Sequence, residues 1–181
     1  MPMYWGSQPI SNAPFYFGAV LCFLFVLGLF LVKGKDKWWL AMTVLIAFIL
    51  SLGKTLPALA DFMIHNFPMY NKFRDVKNII VVQQFAMAVL GLLAVREIYL
   101  QRIEKKQIIN ALKYSFAIVG GLAFIFVLIP SLAGNFQGQS DARLAQMGWP
   151  QELLDALVLD RKRVLRIDAF RTFTFVALAA A

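Results

Sequence analysis

The chain has 181 residues, 60% of them apolar, and a mean hydropathy of +0.68, against roughly 45–50% apolar residues in an average soluble domain. Its 18 Lys and Arg exceed its 10 Asp and Glu by eight charges. These charges sit in short clusters between long apolar runs, which is the pattern of a polytopic membrane protein rather than of a nucleic-acid binder. Cys22, the one cysteine, lies inside an apolar run, so an intrachain disulfide and a cysteine metal site are both excluded.

The first uncharged run, residues 14–32, is long enough as a helix to cross a hydrocarbon core of about 30 Å. The thirteen residues before it hold no Lys or Arg, and no small-residue cleavage site follows before Lys33, so it is a span and not a signal peptide. A basic turn over 33–37 leads to a second, short span over 38–52, which opens with Trp38 and Trp39 at the level of an interfacial belt. Leu56, Leu59, Ala60, Met63, Ile64 and Phe67 then share one helical face, with Pro57 near its start and Pro68 at its end, which predicts a helix over 56–67. That helix is too short to span and is expected to be interfacial or re-entrant.

Residues 79–95 form a third span carrying Gln83 and Gln84, amides expected to face other helices and bond across them, or to line a substrate path. A charged connection over 96–113 leads to a fourth span, 114–133, where Gly120 and Gly121 are expected to let helices approach closely. Residues 134–168 are polar, with an amphipathic surface helix over 150–167. Residues 170–181 are apolar but too few to cross, so the chain reads as a fragment cut within a fifth span. The predicted architecture is thus all-α: one membrane domain over 1–181, a helical bundle with four full spans and a truncated fifth.

Connections 33–37 and 96–113 hold eight Lys or Arg in 23 residues, whereas 54–78 and 131–169 hold nine in 64. By density the first pair is cytoplasmic, leaving the N-terminus, 54–78 and 131–169 outside. The basic run Arg161, Lys162, Arg163, Arg166 and Arg171 opposes that orientation; it suits either anionic headgroups or a solvated helix face.

The densest chemistry lies at Tyr70, Asn71, Lys72, Arg74 and Lys77. Three cations, a phenol and an amide beside a short membrane helix suit the phosphate of a lipid-linked substrate, because Arg grips phosphate oxygens bidentately and Lys adds charge. The same residue types also make an ordinary interfacial anchor. Asp61 and His65, four apart on one helical side, could form an acid/base pair or merely a polar edge. Asp75 could be catalytic or a partner for Arg74. His65 has no second histidine in the chain, so no metal site is assigned, and no phosphate loop, serine-nucleophile motif or nucleic-acid module is present.

Several stretches resemble the large YfhO-type bacterial membrane proteins in the form found in Bacteroidetes-like bacteria: Met3 to Pro9, Gly18 to Lys35, Leu50 to Lys54, and above all Phe67-Pro-Met-Tyr-Asn-Lys-Phe-Arg74. Asp160-Arg161 and Asp168-Ala-Phe-Arg171 look similar as well. Those proteins resemble polytopic C-type glycosyltransferases, which take a sugar from a polyprenyl-phosphate donor on the outer face of the membrane. The resemblance implies an internal stretch of the second half of a multi-pass protein of the bacterial inner membrane. Its partners would be the bilayer, the lipid-linked sugar, a cell-envelope acceptor and the rest of the longer protein. It further implies that Lys72, Arg74 and Lys77 hold the lipid phosphate, that Tyr70 and Asn71 orient it, and that any divalent metal binds elsewhere in the full-length protein. The catalytic carboxylate of such enzymes sits in a first outer loop that this chain lacks, so the fragment alone is expected to be inactive, with Asp61 and Asp75 the weak candidates it contains. A lipid-linked sugar flippase or transporter, or a non-catalytic scaffold, are the competing readings.

Overall fold

The computed structural model describes residues 16–52, 56–67 and 76–181, and every regular element among them is helical. In chain order these are α1 (Ala19–Leu31), α2 (Lys35–Ser51), α3 (Pro57–Asn66), a 3₁₀ turn (Val76–Ile79), α4 (Ile80–Tyr99), α5 (Lys105–Leu128), a second 3₁₀ turn (Pro130–Ala133), α6 (Gln139–Gln146) and α7 (Gln151–Ala180). The described residues divide into two compact units, one over Val20–Ser115 and one over Phe116–Ala181 with Tyr16–Ala19.

Two helices, α4 and α5, are long and apolar enough to cross a membrane. The expectation of four full spans is therefore met in part. Over its described residues α1 is apolar but has 13 residues, about 20 Å of rise, and the 17 residues of α2 include a charged first turn. The fourth predicted span also moves. Its helix starts at Lys105, nine residues early, because Lys105 to Lys113 contains no helix breaker, and it stops at Leu128 because Pro130 has no N–H to continue the ladder.

The charged connection between α4 and α5 shrinks accordingly to residues 100–104. The turn that closes α4 is a Schellman motif: Arg102 N–H donates to the Glu97 carbonyl at 3.3 Å and Gln101 N–H to Ile98 at 3.1 Å, with Gln101 left-handed at φ 52°.

In the unit over Val20–Ser115, Gln83, Ala86, Met87, Leu90, Gly91 and Ala94 form one buried stripe of α4. Phe23 and Leu27 of α1 and Val44 and Ala47 of α2 are also buried there, and α2 packs along α4. Gly28 is the tightest contact of this core. A Cβ at that position would lie 2.7 Å from the Leu90 carbonyl oxygen, and a Cβ on Gly91 would lie 3.0 Å from Leu24 Cβ, so small residues on both helices set the α1–α4 approach. Close approach was expected instead at Gly120 and Gly121. The structure corrects that: a Cβ on Gly120 would touch the ring of Phe116 on its own helix, and one on Gly121 would meet nothing.

In the unit over Phe116–Ala181, Phe116 and Phe124 of α5 flank Phe173 of α7 at centroid distances of 5.8 and 5.5 Å. The separate surface helix over 150–167 and truncated span over 170–181 are one continuous 30-residue helix, α7. No Gly or Pro lies between Gln151 and Ala180, so nothing in the backbone interrupts it at Asp168.

Arg161 corrects a second expectation, since it is neither a solvated cation nor a headgroup ligand. Its guanidinium is wholly buried and grips Asp141 bidentately, Nη1 to Oδ2 at 2.6 Å and Nη2 to Oδ1 at 2.7 Å, while Nη1 also donates to the Phe136 carbonyl at 2.7 Å. Asp141 Oδ2 accepts from Gly138 N–H at 2.8 Å as well, which caps the start of α6. Phe136 is fully buried in a left-handed conformation, φ 59°, with Lys162 Nζ 5.9 Å from its ring centroid. A bulky residue held there stores on the order of 1–3 kcal/mol, offset by the buried ring and by the bond its carbonyl receives.

Candidate functional site: a polar cleft beside the ends of two apolar helices

Of the residues the sequence singles out for a lipid phosphate, Tyr70, Asn71, Lys72 and Arg74 lie outside the described residues, as does Asp75. Lys77 falls in the 3₁₀ turn that packs against α2 and opens directly into α4, which places its backbone at the N-terminal end of that helix. Asp61 and His65 both lie exposed on α3. His65 Nδ1 donates to the backbone carbonyl of Asp61 at 2.7 Å, so the ring nitrogen nearest Asp61 is engaged by the main chain rather than by the carboxylate. No group of three or more His, Cys, Asp and Glu suited to a metal ion occurs among the described residues.

Gln83 is buried, as expected of an amide facing other helices, but its Oε1 accepts no hydrogen bond from the described residues. The expected interhelical bond is thus absent at that atom. Ser115 Oγ on α5 is likewise buried without a partner among the described residues.

The described residues do form a polar concavity, within the unit over Val20–Ser115. A cleft of about 230 Å³ opens where α1 ends and α5 begins. Lys33, Gln107, Asn110 and Tyr114 supply its polar groups, and Phe30, Leu31, Ile103 and Ala111 its apolar wall. The local sequence explains the arrangement. Gln107, Asn110, Ala111 and Tyr114 follow i, i+3, i+4, i+7 spacing and therefore line one face of α5, with the small Ala111 at the centre leaving room. Phe30 and Tyr114 close one end, their ring centroids 5.9 Å apart and tilted by 38°.

Ile103 places the cleft just beyond the C-terminal end of α4. The 3₁₀ turn holding Lys77 is at that helix's other end, and the 20 residues between rise about 30 Å. The cleft and Lys77 therefore belong to opposite ends of a helix that can cross a bilayer.

The setting of the cleft is cationic. Connections 33–37 and 96–113 carry eight basic against three acidic residues, and one of those acids, Glu97, is engaged by Arg102 at 3.7 Å. Lys33 itself is exposed and lines the cavity. One fixed cation, two amides and a phenol beside an apolar wall can hold a singly charged, oxygen-rich group that carries hydrocarbon. The cleft is smaller than the roughly 300–1,000 Å³ of pockets for drug-sized molecules. Sequence reasoning treated 96–113 as a connection and so missed the α5 half of this site; the signal was the 107, 110, 114 spacing, legible once that stretch is read as helix. Comparison of the chain with protein-family models, with curated proteins and with solved structures finds no match.

Proposed function

We propose that this chain works within the bacterial inner membrane as part of a glycosyltransferase that moves a sugar from a polyprenyl-phosphate donor to a cell-envelope acceptor on the outer face. One observation carries the membrane part of this reading. Only 33% of the apolar stretch of α4 and 22% of that of α5 is buried, whereas the core helix of a water-soluble protein buries most of its apolar surface. Val81, Phe85 and Leu92 of α4 and Leu122 and Leu128 of α5 are each more than half exposed, a surface that suits lipid tails. On this reading α1 and α2 complete a four-span bundle, and α3 lies in the outer interface.

The transferase part rests on the resemblance and on the chemistry of Tyr70, Asn71, Lys72, Arg74 and Lys77. In such a transfer a hydroxyl oxygen of the acceptor bonds to the sugar's anomeric carbon and gives up its proton, while the bond between that carbon and the phosphate oxygen breaks and the polyprenyl phosphate departs carrying the electron pair. Lys72, Arg74 and Lys77 would stabilise the charge that grows on that leaving group, more in the transition state than in the ground state. A transporter of lipid-linked sugars is the second reading, favoured by the buried, unsatisfied Gln83 Oε1, an acceptor available to a passing polar group.

The test is labelling of Asn71→Cys in a Cys22→Ala background of the whole membrane protein by an impermeant thiol reagent, followed by a transfer assay on Arg74→Ala. The proposal expects labelling on intact cells and a loss of transfer of on the order of tenfold or more, as for a hydrogen-bonded charge removed from its phosphate. Labelling restricted to permeabilised cells overturns the outer-face mechanism. Undiminished transfer by Arg74→Ala overturns the residue assignment, and translocation of the donor without transfer favours the transporter.

A further inference from the structure

We infer that the cleft between the ends of α1 and α5 holds the phosphodiester headgroup of an anionic glycerophospholipid, in the leaflet opposite the proposed donor site. The inference rests on the membrane part of the reading above and is independent of the transferase part.

Depth is the first argument. Phe30, Leu31 and Val32 end the uncharged run of α1 and Lys33 follows at once; on α5, Lys113 is the last charge before Tyr114, and no charged residue then occurs until Asp141. The boundary between polar and apolar sequence thus falls at the same place on both helices, and the Phe30–Tyr114 contact marks it inside the cleft. A phenol beside an aromatic ring at such a boundary sits at headgroup level. The cleft therefore opens where lipid phosphates lie, and not in bulk water or among acyl chains.

Charge and shape give the second argument. The lining has one cation, Lys33, and no carboxylate, which balances the single negative charge of a phosphodiester. A terminal phosphate monoester, with nearly two charges at neutral pH, would be left half neutralised. Gln107 and Asn110, one turn apart on α5, can donate through their side-chain amides to phosphate oxygens or accept from headgroup hydroxyls, and Tyr114 can do either. Phe30, Leu31 and Ile103 form an apolar flank for the glycerol and first acyl carbons. The volume, about 230 Å³, equals roughly eight water-sized volumes of ~30 Å³; it admits a headgroup and excludes a whole lipid, whose tails would stay along the exposed faces of the helices. The Schellman turn closes α4 at Arg102, and Ile103 follows it directly in the chain.

The experiment measures binding of a spin-labelled phosphatidylglycerol to the full chain in phosphatidylcholine vesicles. Three variants are compared with the wild type: Lys33→Gln, the uncharged double replacement Gln107→Leu with Asn110→Leu, and Lys105→Gln, which removes a cation of α5 that does not line the cleft. The wild type should prefer phosphatidylglycerol to phosphatidylcholine. Lys33→Gln and the uncharged double variant should each weaken that preference on the order of tenfold, the effect of hydrogen bonds lost to a charged group. Lys105→Gln should bind as the wild type does. Binding by the uncharged double variant equal to the wild type overturns the inference, because diffuse attraction of the basic connections to anionic lipid depends on charge alone. Equal losses for Lys33→Gln and Lys105→Gln overturn it on the same ground. Displacement of the spin label by soluble glycerophosphoglycerol at concentrations matching the lipid shows a site for the free phosphodiester and overturns the lipid assignment. All four exposed positions lie on the surface, so the variants keep the helical core. A chain that does not enter phosphatidylcholine vesicles at all overturns the membrane reading, whereas one that enters without preferring phosphatidylglycerol overturns this inference alone.

Discussion

Asp141→Ala is the perturbation whose size the structure defines best. Arg161 has no solvent exposure and the Asp141 side chain keeps 15%, so removing the carboxylate leaves a guanidinium inside the protein without its bidentate partner. Breaking a buried ion pair from one side costs about 3–5 kcal/mol, because the remaining charge loses its compensation while staying out of water. At roughly 2–4 °C per kcal/mol for a chain of this length, the apparent Tm in mild detergent should fall by about 6–20 °C. Asp141 also accepts from Gly138 N–H at the start of α6, and Asp141→Asn separates the two roles: it keeps an oxygen for the cap and removes the charge. It should lie nearer to Asp141→Ala than to the wild type. Adding Arg161→Met to Asp141→Ala should restore most of the loss, since the stranded charge is gone, although the Phe136 carbonyl still lacks the bond it receives from Nη1. A Tm for Asp141→Ala within about 2 °C of the wild type, under 1 kcal/mol by the same scale, would falsify the claim that this pair is desolvated. So would strict additivity of the two substitutions.

Four further outcomes follow from the packing. Gly28→Ala drives a Cβ to 2.7 Å from the Leu90 carbonyl oxygen, and should lower stability by about 1–3 kcal/mol, the usual cost of overpacking; thermal unfolding in detergent reads it. Gly91→Ala brings its Cβ to 3.0 Å from Leu24 Cβ and 3.5 Å from the Leu24 carbonyl carbon, a looser fit than at Gly28, and should cost less than Gly28→Ala; the reverse order contradicts the packing described for α1 and α4. Gly121→Ala, with open space around the new methyl, should be neutral or raise stability by up to about 1 kcal/mol through helix propensity. Gln83→Met removes a buried acceptor that has no partner at little change of volume, so Tm should hold or rise; a variant that is more stable yet inactive would assign Gln83 to the polar path of a transporter.

Much of the secondary structure was legible from the sequence because its causes are local. The α3 boundaries follow from Pro57 and the apolar face behind it, and the apolar stretch of α4 from its freedom from charge between Ile80 and Val95. The errors fell where a polar composition was equated with a loop. Lys105 to Lys113 and Asp160 to Asp168 are rich in charge, yet neither contains Gly or Pro, and a helix continues through both. That misreading hid the α5 side of the cleft and divided α7 in two. Which glycines matter was beyond the sequence for a different reason. Gly28, Gly91, Gly120 and Gly121 all sit in apolar helices, and only the presence or absence of a facing backbone separates the first two from the last two. Arg161 is the same case in electrostatic form. Its neighbours Lys162, Arg163 and Arg166 share its charge and its helix, but Arg161 is the one of the four that is buried and held bidentately by Asp141, twenty residues earlier. Helix and hydropathy are decided within a few turns of chain, where propensity and periodicity act; partners, close approaches and clefts join residues tens of positions apart, and only the tertiary structure brings those together.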